Sequence, residues 1–257
     1  MGRRQIGTLA RFTLLEALRT RLPWLFVTAL AAVYGTSFLV QQLAITESAR
    51  MQIVFAAAAS RLVAVFVLSL YILTSVVREF NDKGLELTLS FDLPRSGYIL
   101  GRLAGFMLIA LAMALLAGLP EMMLAPLTAA LQWSCSLAFE LSLVAALSLF
   151  CVMTFTQLMP AASFVAGFYL LARTLSSIRL ISDTSVVGNN VLSRQMMGWL
   201  VDTLALVMPA LDRYSQSAWL VDGTAGWTAI GMGALQAALY STLLVAAAMF
   251  DFYRRNL

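Results

Sequence analysis

Long apolar runs broken by short polar stretches set the pattern of this chain. A bilayer span needs roughly 20 mostly apolar residues. On that ruler six runs qualify: 23–40, 53–77, 99–119, 133–156, 160–180 and 227–250. The pattern predicts an all-α polytopic membrane protein, a single transmembrane domain over 1–257 with six transmembrane helices. No stretch outside the runs is long enough for a separate folded domain.

Residues 4–21 follow a different rule. Wound at 100° per residue, they put Arg4, Thr8, Arg11 and Arg19 on one side, and Ile6, Leu9, Ala10, Thr13, Leu14 and Ala17 on the other. Phe12 and Leu15 break the pattern. An N-terminal interfacial amphipathic helix is expected, polar face toward headgroups or water. Pro23 then allows a sharp turn into the first span. The links around Gln41–Gln52 and Pro120–Gln132 read as short, and Gln157–Pro160 as a tight turn that makes the fourth and fifth spans an antiparallel pair.

The segment 181–226 is as long as two spans but not apolar throughout. Ser182–Arg194 is polar; Met196–Leu211 is apolar, interrupted by Asp202 and closed near Pro209. It reads as an outer segment on the surface or as a re-entrant one, where irregular backbone would need protein cover. A seventh span here would leave Arg254 and Arg255 on the outer side.

Composition agrees with this reading. The chain is 61% hydrophobic and 12% charged, whereas soluble domains average about 25% charged. Its net charge of +4 bears on orientation and gives no reason to expect nucleic acid. Placing both termini and the 78–102 loop in the cytoplasm puts 11 of the 17 basic residues inside, in keeping with the positive-inside bias. The N-terminus is not expected to be a cleavable signal, because about twenty residues precede a run of spanning length.

Three charges fall well inside predicted spans, away from their ends: Arg61, Glu140 and Arg173. Counted along their helices they lie at a similar depth, roughly 10–12 Å below the outer boundary. An unpaired charge there is costly, so Glu140 is expected to bridge Arg61 or Arg173. The cluster reads as an interhelical tie or as the polar lining of a substrate path. Gly97, Gly101 and Gly105 recur every four residues, a pattern that lets a second helix approach closely.

Catalytic chemistry is poorly supplied. The chain has no histidine, so it cannot build a His-ligated metal site or use a histidine base. Cys135 and Cys151 fall in one predicted helix about 24 Å apart, beyond disulfide reach. There is no phosphate-binding G-x-x-x-x-G-K-[ST] loop and no G-x-G-x-x-G turn. Enzyme activity is not expected of this chain alone.

The strongest polar interruption is Arg78–Arg102, REFNDKGLELTLSFDLPRSGYILGR, with eight charged side chains between two apolar runs. Glu79, Gly84, Glu86, Leu89, Ser90, Arg95, Tyr98, Gly101 and Arg102 fall there in an order that resembles the inner loop of the permease subunit of ABC-2 type ABC transporters. The usual proline position holds Asp92, and Pro94 follows two residues later. Glu16-Ala-Leu-Arg19-Thr-Arg21 and Met208-Pro209-Ala-Leu-Asp-Arg-Tyr are similar to phrases of the branch linked to multicopper-enzyme maturation.

The resemblance implies six spans and a cytoplasmic coupling helix within 78–98, with Glu79, Gly84, Glu86 and Arg95 as partner-coupling residues. It implies an export pathway in a bacterial inner membrane, both termini cytoplasmic. The implied assembly is two permease copies, as homodimer or heterodimer, with two copies of an ABC ATPase subunit. No cofactor is expected in this chain; ATP and Mg belong to the partner ATPase. Membrane lipid surrounds the spans, and 181–226 leaves room for a periplasmic partner. The alternatives are an ATPase-independent secondary carrier or channel, for which inverted repeats or broken helices would be the mark, or a membrane scaffold for that periplasmic partner.

Overall fold

The protein is described here by a computed structural model covering residues 2–43, 47–82, 95–183, 198–199, 203–204, 207–223 and 226–254. Eight α-helices can be followed through these residues: α1 (Gly2–Arg19), α2 (Leu22–Leu43), α3 (Ser48–Asn81), α4 (Arg95–Leu124), α5 (Leu127–Phe155), α6 (Leu158–Asp183), α7 (Ala218–Asp222) and α8 (Trp227–Arg254). A 3-10 turn, Leu211–Arg213, precedes α7, and no strand occurs among the described residues. Six of the helices, α2 to α6 and α8, are long and apolar enough to cross a membrane. The 34 residues of α3 make it about 51 Å long, well beyond a hydrocarbon core of about 30 Å.

The core forms around α5. Most of its side chains are buried, among them Trp133, Leu137, Leu141 and Val144. The most extensive packing is of α8 and α4 on α5, with α3 and α6 closing the remaining sides. By contrast α2 buries only Phe26, Leu30 and Ser37 and leans on α3 from outside. A single stripe of α8 is buried, Ile230, Ala237, Ser241, Val245, Ala248 and Phe252, at the three-to-four-residue spacing of one helix face. Its other faces expose Met232, Leu235, Leu239, Leu243 and Phe250, apolar surface that suits lipid and not water.

Chain breaks follow local chemistry. Thr156 takes a left-handed conformation, φ 57°, and ends α5; α6 begins two residues later, with Pro160 in its first turn, where a missing N–H costs nothing. Pro23 sits in the first turn of α2 for the same reason. One expected link is shorter than its sequence indicates. Instead of a connection over Pro120–Gln132, α4 runs through Pro120 to Leu124 and α5 starts at Leu127. Pro120 removes one backbone hydrogen bond, which a helix packed among neighbours tolerates, while Pro126 with ψ 137° stands at the N-cap and forces the true break.

Helix α1 packs along α4 as part of the bundle. Ala10, Thr13 and Ala17 are buried, and Leu9 and Leu14 pack against the core. The side that breaks the amphipathic pattern stays outside: Phe12 is 62% exposed. Glycines make this approach possible. A Cβ on Gly101 would sit 2.7 Å from Leu9 Cδ2, and one on Gly105 would sit 2.6 Å from Thr13 Cβ and 3.1 Å from the Ala10 carbonyl oxygen.

Candidate functional site

Two networks of buried charge lie in the bundle, separated by about 21 Å along α3 from Arg61 to Ser75. The first gathers where α1, the end of α3 and the start of α4 meet. Its centre is Arg102, 2% exposed. Arg102 Nη1 donates to Glu16 Oε2 at 3.0 Å and to Thr13 Oγ1 at 3.2 Å. Its Nη2 donates to Glu79 Oε2 at 2.6 Å and to Ser75 Oγ at 3.1 Å. The Tyr98 hydroxyl donates to the same Glu79 oxygen at 2.9 Å. Glu16 Oε1 accepts from Arg78 Nη2 at 2.8 Å and from Ser75 Oγ at 3.1 Å.

This geometry repays the burial of Arg102. Four donor contacts and two carboxylates replace hydration at the two Nη atoms, Nε has no partner among the described residues, and the Phe106 ring lies 5.3 Å from the guanidinium carbon. A mechanical consequence follows from where the partners sit. Glu79 stands in the last turn of α3 and Arg102 in the second turn of α4. They tie the two roots of the 83–94 connection to each other, and Glu16 ties both to α1. The ring of Tyr98 stacks on Phe252 of α8 at 6.1 Å, and Thr154 Oγ1 of α5 donates to Asp251 Oδ2 at 2.7 Å. The same end of the bundle therefore gathers the C-terminal part of α8 as well.

The second network surrounds Glu140, fully buried in α5. Its Oε1 accepts from the Tyr169 hydroxyl at 2.8 Å and lies 3.5 Å from Arg173 Nη1. Its Oε2 accepts from the Ser215 hydroxyl. Arg61 makes no direct bond to Glu140; its Nη1 donates to the Ser215 carbonyl at 2.9 Å, which also accepts from Trp133 Nε1 at 3.1 Å. The Ser215 amide donates to Ser136 Oγ at 3.0 Å. Arg173 Nη1 donates to the carbonyls of Leu211 and Tyr214, the latter at 2.9 Å.

Every polar atom of Ser215 is thus used. The residue pays for this with φ 39°, left-handed backbone that serine adopts at a cost. Glycine would relax the backbone but would lose the hydroxyl that reaches Glu140. The segment around Ser215 is a plug: Met208, Leu211, Tyr214 and Leu220 are buried with it. It reaches Glu140 at about 20 Å along α5 from Leu127. The irregular backbone here has the protein cover that such backbone requires at depth. The Tyr214 hydroxyl donates to the Gly233 carbonyl of α8 at 2.7 Å.

The three charges singled out in the spans, Arg61, Glu140 and Arg173, come together, though through Ser215 as much as through each other. Of the residues expected from the resemblance to couple to a partner, Glu79 joins the Arg102 network and Arg95 is the first residue of α4. Gly84 and Glu86, with the rest of the 83–94 connection, lie outside the described residues. Sequence reasoning did not assign Glu16, Thr13, Ser75, Tyr169 or Ser215 to these networks. Glu16 carries a usable signal, the one acid in a helix otherwise rich in arginine. Ser215 carries none.

No family model matches the chain, and no curated protein matches it. Fold and composition define the class: an all-α, multi-pass membrane protein with two separate networks of buried charge in its bundle.

Proposed function

We propose that this chain is the permease subunit of an ABC-2 type transporter, forming an export pathway driven by a separate ATPase subunit. The observation that carries the reading is the Glu79–Arg102 ion pair at 2.6 Å. The loop whose residues resemble a coupling element is anchored at both roots to one rigid cluster, and that cluster holds α1 through Glu16. A force applied to the loop moves α1, α3 and α4 together. Composition is in keeping with this: the 257 residues hold no phosphate-binding motif, as a pathway subunit that works with an ATPase would have it.

On this reading two permease copies and two ATPase subunits make the assembly, in a bacterial inner membrane with both termini cytoplasmic. ATP and Mg are bound by the ATPase. Nucleotide-dependent docking shifts the population between two arrangements of the halves. The plugged Glu140 network serves as an interhelical tie, since a segment of the chain itself fills the space beside it.

The test is gentle purification of the tagged protein from its native membrane, identification of what accompanies it, and an ATPase assay, with Glu86→Arg for comparison. A co-purifying ATPase that is lost in the variant is the expected result. Absence of any nucleotide-binding partner, under conditions that preserve other membrane complexes, refutes the reading.

A further inference from the structure

Beside the Arg102 network, and sharing Ser75 and Arg78 with it, a surface concavity of about 350 Å³ lies where α1 turns into α2, walled by that corner and by α3. Its character changes with depth. Arg21 and Arg78 line the end nearest the Arg102 network; Leu25, Val67 and Leu70 line the part that runs along the spans. Leu25 is 53% exposed and Leu70 is 48% exposed, so the apolar part opens outward from the bundle. Tyr71, which is 9% exposed and whose hydroxyl makes no hydrogen bond among the described residues, lines it as well.

No carboxylate lines this concavity. Among the described residues Arg21 makes no ion pair, and Arg78 commits one nitrogen to Glu16 while its side chain remains 60% exposed. A second concavity of about 470 Å³ shares Arg21 and Leu25 and adds Trp24, 76% exposed. Exposed tryptophan is characteristic of the headgroup level. Guanidinium groups bind phosphate oxygens through paired hydrogen bonds, and basic residues beside a membrane attract anionic lipid.

We propose that this site binds one anionic phospholipid, its phosphodiester against Arg21 and Arg78 and its acyl chains along Leu25, Val67 and Leu70. The cationic rim above an apolar wall matches the polarity of such a lipid along its own length. Because Arg78 also holds Glu16, the lipid braces the α1–α2 corner and, through it, the Arg102 network.

The test is native mass spectrometry of the full-length protein in mild detergent, titrated with phosphatidylglycerol or with phosphatidylcholine of the same chains. Wild type retains phosphatidylglycerol preferentially. Arg21→Gln weakens its retention about fivefold, the loss expected for one interfacial arginine, and leaves the unfolding temperature in lipid-free detergent unchanged because Arg21 makes no ion pair among the described residues. Leu70→Trp, which fills the apolar part, weakens it too. Equal retention of the two lipids overturns the proposal. So does an equal loss with Arg11→Gln, an exposed arginine outside the concavity, or full displacement by soluble glycerol phosphate, which would mark a site for small anions.

Discussion

Glu140→Gln tests the plug most directly. The substitution preserves shape and one acceptor oxygen but removes the charge that faces Arg173 and the Ser215 and Tyr169 hydroxyls. Removing one partner of a buried ion pair costs about 3–5 kcal/mol. Here Arg173 keeps the Leu211 and Tyr214 carbonyls and Arg61 keeps the Ser215 carbonyl, so the low end applies, about 3 kcal/mol. Ser215→Ala forfeits one hydrogen bond to a charged group, about 1.5–3 kcal/mol. Because the two act on one contact, the double variant should fall short of the sum by about 1 kcal/mol or more. Equilibrium unfolding in mixed micelles, followed by tryptophan fluorescence, measures all three; Trp133 bonds the same Ser215 carbonyl and reports locally. A Glu140→Gln variant within about 0.5 kcal/mol of wild type, the range of inconsequential surface changes, would refute the reasoning. Strict additivity with Ser215→Ala would refute the direct contact.

Arg102→Met should destabilise the protein by about 3 kcal/mol in the same assay, because Glu16 and Glu79 lose their shared cation; adding Glu79→Gln should recover part of the loss. Gly105→Val should lift α1 from α4, since even a Cβ meets Thr13 and Ala10 inside ordinary contact distance, and amide exchange in 6–19 should rise while that of α5 holds. Gly118→Ala should be harmful because its Cβ would fall 1.9 Å from Ser134 Oγ and 2.9 Å from Ser134 Cβ. Unfolding midpoints should then show Ser134→Gly rescuing it better than Ser134→Ala, which leaves the second clash in place.

Glycine spacing shows how far the sequence could be read. The recurrence at Gly97, Gly101 and Gly105 pointed to a close helix approach, and α1 makes it at Gly101 and Gly105. The spacing carried no information on which helix would come. Arg61, Glu140 and Arg173 stood out because charge in an apolar run is rare. Their partners did not, because several are backbone carbonyls at Leu211, Tyr214 and Ser215, and every residue has one.

What the sequence by itself determined was local: the six apolar helices, the apolar face of α1, the tight turn near 157–160, and the positions where charge would need company. A helix in lipid satisfies its backbone within its own segment, so length and hydropathy suffice to place it. Tertiary structure decided the rest. It chose Glu16 and Glu79 for Arg102, drew α1 into the bundle, and brought Ser215 to a glutamate in the middle of α5. Those choices depend on how helix surfaces fit and on where an irregular segment finds cover, properties of the packed bundle that no single stretch of chain contains.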